Sequence, residues 1–268
     1  MNKTGKKFIK MILFLIAFLC FSTLVHAESG EWEKSKDGYR YRISDDQYAQ
    51  GITSIGKKKY YFNRDNFQRT GWRKIEGSYY YFKNVQGKNG YMIKDYTIDG
   101  IRLNKNGKAV INSRNKKRLK VLVKAAKIVD TCTTPFMSVS DKTRKVYQYV
   151  RDNCSVFKVK DYASEYSKDY PSLYADVLFS REGGDCYAYA AGLAFLMNAA
   201  GNHHVNFVHS GYHAWVQLKG YIYDVYWERQ LEINCYKNSK SKSSTGGRPA
   251  WKGNDKFKRD IESSLYLR

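Results

Sequence analysis

The sequence predicts an α+β protein in which a cysteine-bearing helix packs on an antiparallel sheet, preceded by an N-terminal module of repeated β-hairpins. Three observations carry this. A 20-residue period runs through the tyrosine- and glycine-rich stretch from residue 51 to 90, and helical periodicity replaces it from about residue 120. A run of small and apolar residues at 186–199 is then followed by strand-like alternation at 213–226.

With 268 residues and 43% apolar composition, the chain is long enough for one or two folded domains with a real core. It opens with Lys3, Lys6, Lys7 and Lys10, an apolar stretch over 11–25, and Val25-His26-Ala27 at the positions of a cleavage site. This reads as a secretory signal over residues 1–27, too short for a membrane span. Leu19 before Cys20 argues against a lipid-modified cysteine. The expected mature chain starts at Glu28, is secreted, and has no transmembrane segment. Export also gives meaning to the net charge of +22. The natural anionic partner of an exported basic protein is a cell envelope or an acidic glycan, not nucleic acid.

In the repeat region, "GITSIGKKKYYFNRDNFQRT" is followed by "GWRKIEGSYYYFKNVQGKNG", so Gly51 returns as Gly71 and Tyr60-Tyr61-Phe62 as Tyr80-Tyr81-Phe82. Short aromatic strands separated by glycine turns predict hairpins too small to bury their own faces, which form a core by stacking. A weaker copy, "YTIDGIRLNKNGKAV", puts Ile101-Arg102-Leu103 in the aromatic slot, and "EWEKSKDGYRYRIS" is a degenerate earlier unit.

"GWRKIEGSYYYF" and "GYMIKD" resemble the cell-wall-binding repeats of Gram-positive surface proteins, the choline-binding and glucan-binding family. The resemblance implies attachment to a cell-wall polymer, through teichoic acid choline or glucan. It assigns Trp72, Tyr80 and Met92 to the ligand-binding positions, where aromatic faces hold a quaternary ammonium or stack on a sugar. The competing reading of these aromatics is a plain hairpin core.

A basic, polar stretch at 111–118 marks the expected boundary, with repeats over 28–112 and a second domain over 113–268 that ends in a basic tail. Residues 121–129 and 141–153 show apolar residues three and four apart, Val146, Tyr149 and Val150 being the clearest set. The helix within "GGDCYAYAAGLAFLMNAAG" is apolar nearly all round, so it belongs in the middle of a domain, and Gly201 closes it. Asp185 is its N-cap, which puts Cys186 at the first helical position among free backbone N–H groups. The helix dipole favours a thiolate there by at most about 2 kcal/mol. Asp185 works against it, so a reactive thiol needs a cationic partner.

"GYHAWVQLKGYIYDVYW" supplies a histidine on a hairpin. A two-residue loop at Lys219-Gly220 puts Trp215 opposite Asp224 and His213 opposite Tyr226. His213 and Asp224 are then diagonal neighbours on one face, close enough for a carboxylate to orient an imidazole. A three-residue loop without a bulge throws them onto opposite faces.

The ordered "GGDCYAYAAG", "YHAW" and "YIYDVYW" resemble the transglutaminase-like superfamily, a branch of the papain-like cysteine enzymes, over roughly residues 120–232. The resemblance implies Cys186 as nucleophile, His213 as general base and acid, and Asp224 as the group orienting His213. It implies a thiolate that attacks the amide carbonyl of a protein or peptide and forms a thioester, with hydrolysis ahead of cross-linking because water is the default acceptor. The backbone N–H of Cys186 would be an oxyanion donor. A surface adhesion protein that keeps the domain without activity is the alternative. No cofactor and no metal are expected, since His203, His204 and His209 match no zinc spacing. Cys132, Cys154 and Cys235 read as structural.

Overall fold

The computed structural model describes residues 26–27, 30–85, 90–159, 169–209 and 213–239. The expected signal segment up to residue 25, the basic tail beyond residue 239, and much of the loop after residue 159 lie outside the described residues.

The fold is α+β. Its N-terminal part is a run of short antiparallel pairings: β2 (Glu31–Ser35) with β3 (Gly38–Ser44), which also pairs β4 (Gln47–Tyr48); β5 (Gly51–Ile55) with β6 (Lys58–Phe62); β7 (Gly71–Ile75) with β8 (Ser78–Phe82); and β9 (Thr97–Ile98) with β10 (Ile101–Arg102). A two-residue β1 (His26–Ala27) lies parallel to β5. The 20-residue period is a structural one: Gly51 faces Phe62 as Gly71 faces Phe82. The bridge Phe62 to Gln68 likewise recurs as Phe82 to Met92 and Leu103 to Ala109, so Leu103 stands where the aromatic did. Backbone bonds from Met92 N–H to the Lys59 carbonyl and from Ala109 N–H to the Tyr79 carbonyl tie successive units together.

The helices are α1 (Lys116–Cys132), α2 (Val139–Asn153), α3 (Tyr170–Arg181), α4 (Cys186–Ala199) and α5 (Val225–Leu231). None among the described residues is long and apolar enough to cross a membrane. Helix α2 is capped by Ser138, which accepts from Asp141 N–H at 3.0 Å. Its buried stripe is Thr143, Val146, Tyr147 and Val150. Tyr149, expected in that stripe, is half-buried, because it sits roughly 100° around the axis from the stripe's centre.

Helix α4 is the central post, with every residue from Ala188 to Met197 buried. A two-residue parallel pairing of β11 (Ser155–Val156) with β12 (Gly183–Gly184) leads into it. The post packs on an antiparallel sheet in the order β13 (Asn206–His209), β14 (Ala214–Leu218), β15 (Tyr221–Tyr223) and β16 (Asn238–Ser239). Gly192 is where α3 crosses: a Cβ there would collide with the end of the Leu178 side chain, so a larger residue must displace Leu178.

The hydrophobic core is continuous from hairpins to helices. Trp72, Tyr79, Ile101 and Leu103 share one cluster with Leu122, Val146, Phe195 and Val216. Polar links follow the same seam. The Trp72 indole donates to the buried Asp99 carboxylate at 2.6 Å, Arg73 donates to Asp130 at 3.0 Å, and Asn84 donates to the Ala199 carbonyl at 2.6 Å. Burial pushes the Asp99 carboxyl above its ordinary range.

Candidate functional site

Lys219 and Gly220 both have positive φ, +51° and +79°, the pattern of a two-residue type I′ turn. The ladder pairs Leu218 with Tyr221, Gln217 with Ile222 and Val216 with Tyr223, the two-residue register. Strand β15 nevertheless stops at Tyr223, where alternation had predicted a strand to Tyr226. The reason is Asp224. Its Oδ1 accepts the Trp227 backbone N–H at 3.1 Å, so it caps α5 and turns the chain out of the sheet. Helix α5 is anchored by Glu228, whose Oε2 accepts from the Tyr147 hydroxyl and from Cys235 N–H, each at 2.8 Å.

The second oxygen of the same carboxylate, Oδ2, lies 2.6 Å from His213 Nε2. Asp224 is 2% exposed, so its charge faces the imidazole with little solvent between. On the other side of the ring, the Trp227 indole N–H donates to His213 Nδ1 at 2.6 Å. An indole nitrogen only donates, so Nδ1 is the acceptor, and the ring proton of neutral His213 sits on Nε2, directed at Asp224. The Trp215 ring stacks on His213 with centroids 6.0 Å apart, and the Trp227 ring meets it edge-on at 4.8 Å.

Cys186 opens α4, and Asp185 caps that helix by accepting Ala188 N–H at 3.1 Å. The thiol receives the backbone N–H of Ala214, the residue after His213, and lies within electrostatic range of Asp224 and Tyr226. Burial pushes it from its ordinary 9.0 up to about 11; the charges of Asp185 and Asp224 add to this, and the N–H groups of Ala214 and Tyr187 oppose it. The resting thiol is therefore protonated at neutral pH. Cys186, His213 and Asp224 thus gather at one place, between the start of α4, the start of β14 and the start of α5.

Trp227 is the member of this group that sequence reasoning missed. Its signal is its place three residues after a capping aspartate, which aims it back over the residues beside the cap. Of the histidines weighed as metal ligands, His203 and His204 are exposed, and His209 is buried with Nδ1 3.3 Å from the Tyr187 hydroxyl.

In the hairpin region Trp72 is 2% exposed and belongs to the core shared with the helices. Tyr80 and Met92 pack with Phe82 in a separate small cluster, and Met92 also lines a cavity between hairpin units.

No protein-family model and no curated protein matches the chain. Solved structures match about a third of it. The choline binding domain of Spr1274 from Streptococcus pneumoniae is 26% identical over 32% of this chain and 99% of that domain, with TM-score 0.27. Choline binding protein F of the same organism, solved with a peptidoglycan analogue, is 26% identical over 31% of this chain and 27% of its own, with TM-score 0.27. A pneumococcal cell wall endolysin from phage Cp-1, complexed with choline, is 22% identical over 34% of this chain and 27% of its own, with TM-score 0.28.

Proposed function

We propose that the protein is an exported, wall-associated cysteine enzyme that cleaves or transfers peptide or amide acyl groups through a thioester on Cys186. The observation that carries this reading is the 2.6 Å contact of His213 Nε2 with Asp224, made beside the helix N-terminus that bears the thiol. In this reading residues 1–27 direct export, 28–112 hold wall polymer, and 113–268 act on a protein or peptide.

Asp224 fixes the tautomer that leaves Nδ1 basic and stabilises the imidazolium formed when His213 takes the Cys186 proton. The thiolate attacks the substrate carbonyl. The developing oxyanion meets N–H groups at the start of α4. His213 returns the proton to the leaving amine, then deprotonates water, or an acceptor amine, which attacks the thioester carbonyl and displaces the Cys186 sulfur, to which His213 returns the proton. A protonated thiol alone is a poor nucleophile, so transfer to His213 is the step that makes the chemistry available.

One observation favours the second reading, an adhesion protein without catalysis: Trp227 already occupies the nitrogen that must accept the thiol proton. Catalysis then requires the indole to move aside on substrate binding. The two readings separate on product. The mature protein is incubated with cell-wall fragments or a protein substrate and a labelled primary amine, with Cys186→Ala alongside. Peptide release or amine incorporation dependent on Cys186 supports the enzyme; equal background from both proteins supports adhesion.

A further inference from the structure

Three lysines in a row, Lys57 in the turn after β5 and Lys58 and Lys59 at the start of β6, lie together. Lys83 follows β8 and Lys94 lies two residues beyond Met92, and all five line one cavity of about 620 Å³ along the hairpin units, which His203 also borders. Its wall includes tyrosine rings and the apolar surfaces of Met92, Ile93 and Ile98, and among the described residues it has no carboxylate. The charge is thus concentrated and uncompensated within the cavity, an arrangement that like-charge repulsion disfavours until an anion enters.

The aromatic surface does not read as a cage for a cation. Lys58 Nζ lies 4.2 Å from the Tyr91 ring centroid and Lys83 Nζ lies 5.6 Å from it. Two of the protein's own ammonium groups therefore cover the ring that a quaternary ammonium would seek. What remains is a cleft with a cationic rim and a floor suited to the C–H faces of a sugar or polyol. We propose that this cavity binds an anionic polymer of sugar or polyol units, carrying phosphate or carboxylate along its chain. This deepens the wall-attachment part of the proposed function and rests on it, exchanging an anion for the cation or neutral glucan that the repeat motif implies.

The test is calorimetry on the full mature chain at 0.15 M salt, with poly(glycerol phosphate), oligogalacturonate, choline, dextran and a single-stranded DNA oligonucleotide as probes. One or both anionic polymers bind, and which one binds identifies phosphate or carboxylate as the source of charge. Lys57→Glu, Lys58→Glu and Lys83→Glu combined weaken that binding by about tenfold or more, the scale of losing charge-assisted contacts. The charge-matched triple Lys105→Glu, Lys108→Glu and Lys120→Glu, all exposed and outside the cavity, changes it less than about threefold.

Equal losses from the two triples overturn the assignment, because they mean diffuse charge and not a site. So does choline or dextran binding with neither anionic polymer binding, or DNA bound as tightly as either. Sedimentation with insoluble walls separates this from the wider reading. A protein that binds the soluble polymers but not walls refutes wall attachment and leaves the cavity assignment standing.

Discussion

The indole N–H of Trp227 donates to Nδ1 of His213 at 2.6 Å, on the opposite side of the ring from Asp224. The imidazole is thereby held from both nitrogens, with its basic lone pair engaged. Trp227→Phe keeps a ring against His213 and keeps the backbone N–H that Asp224 caps, while it removes the donor together with part of the indole's packing on the cluster of Trp215 and Ile222. Alkylation of Cys186 by iodoacetamide should then accelerate by roughly five- to tenfold, the worth of one hydrogen bond. An unchanged rate would mean that Trp227 does not restrain the base.

The thiol itself sets a pH dependence. Its folded value of about 11 lies above the ordinary 9.0. The folded state therefore holds the proton more tightly than the unfolded chain, and the resulting stability is present below about pH 9 and lost between about 9 and 11. Alkylation of resting Cys186 against pH should have its midpoint near 11, and Trp227→Phe should lower that midpoint. Mass spectrometry of the Cys186 peptide reads both. A midpoint near 9 in the unmodified protein contradicts the burial described for the thiol.

Asp224 serves as both helix cap and imidazole partner, and Asp224→Asn separates these roles. Asparagine caps about as well as aspartate, but the single amide oxygen cannot serve both donors. With the amide nitrogen facing Nε2, neutral His213 must carry its proton on Nδ1, against the indole N–H. Cys186-dependent turnover should fall on the order of a thousandfold, with stability reduced by about 1–2 kcal/mol. Adding Trp227→Phe removes the opposing donor and should restore part of the stability but not the turnover. Urea unfolding of the single and double variants measures the coupling, and strictly additive losses would contradict the shared ring.

Helix α4 depends on the close crossing at Gly192. Gly192→Ala puts a methyl group into Leu178 and should cost about 1–3 kcal/mol, lowering the melting temperature by roughly 2–10 °C. A thermal scan checks this, and no loss would mean that α3 shifts freely.

Much of this was readable from residues, and the remainder for identifiable reasons was not. The Lys219-Gly220 turn and the alternation around it specify the register, and Asp185 before an apolar run specifies the start of α4. The end of β15 was hidden because "YIYDVYW" is built of strong strand formers, and a side-chain cap overrides that preference only once tertiary contacts hold Glu228. Tyr147 and Tyr149 differ by two places on a helix whose neighbours decide which face is inside. The bond between Trp72 and Asp99 joins residues 27 apart in sequence, and no local pattern announces a buried carboxylate. Trp227 belongs to the same class: its role exists only when α5 brings its side chain against His213 and Trp215.

The central claim is that Cys186 carries an acyl group and that His213 loads it. The direct measurement is mass spectrometry of the cysteine peptides after brief exposure to an activated peptide ester and acid quench, for the unmodified protein and for His213→Ala. An acyl mass is expected on Cys186, absent from Cys132, Cys154 and Cys235, discharged by water and faster with added amine, and lost in His213→Ala. Acylation spread evenly over the four cysteines, or undiminished without His213, would contradict it.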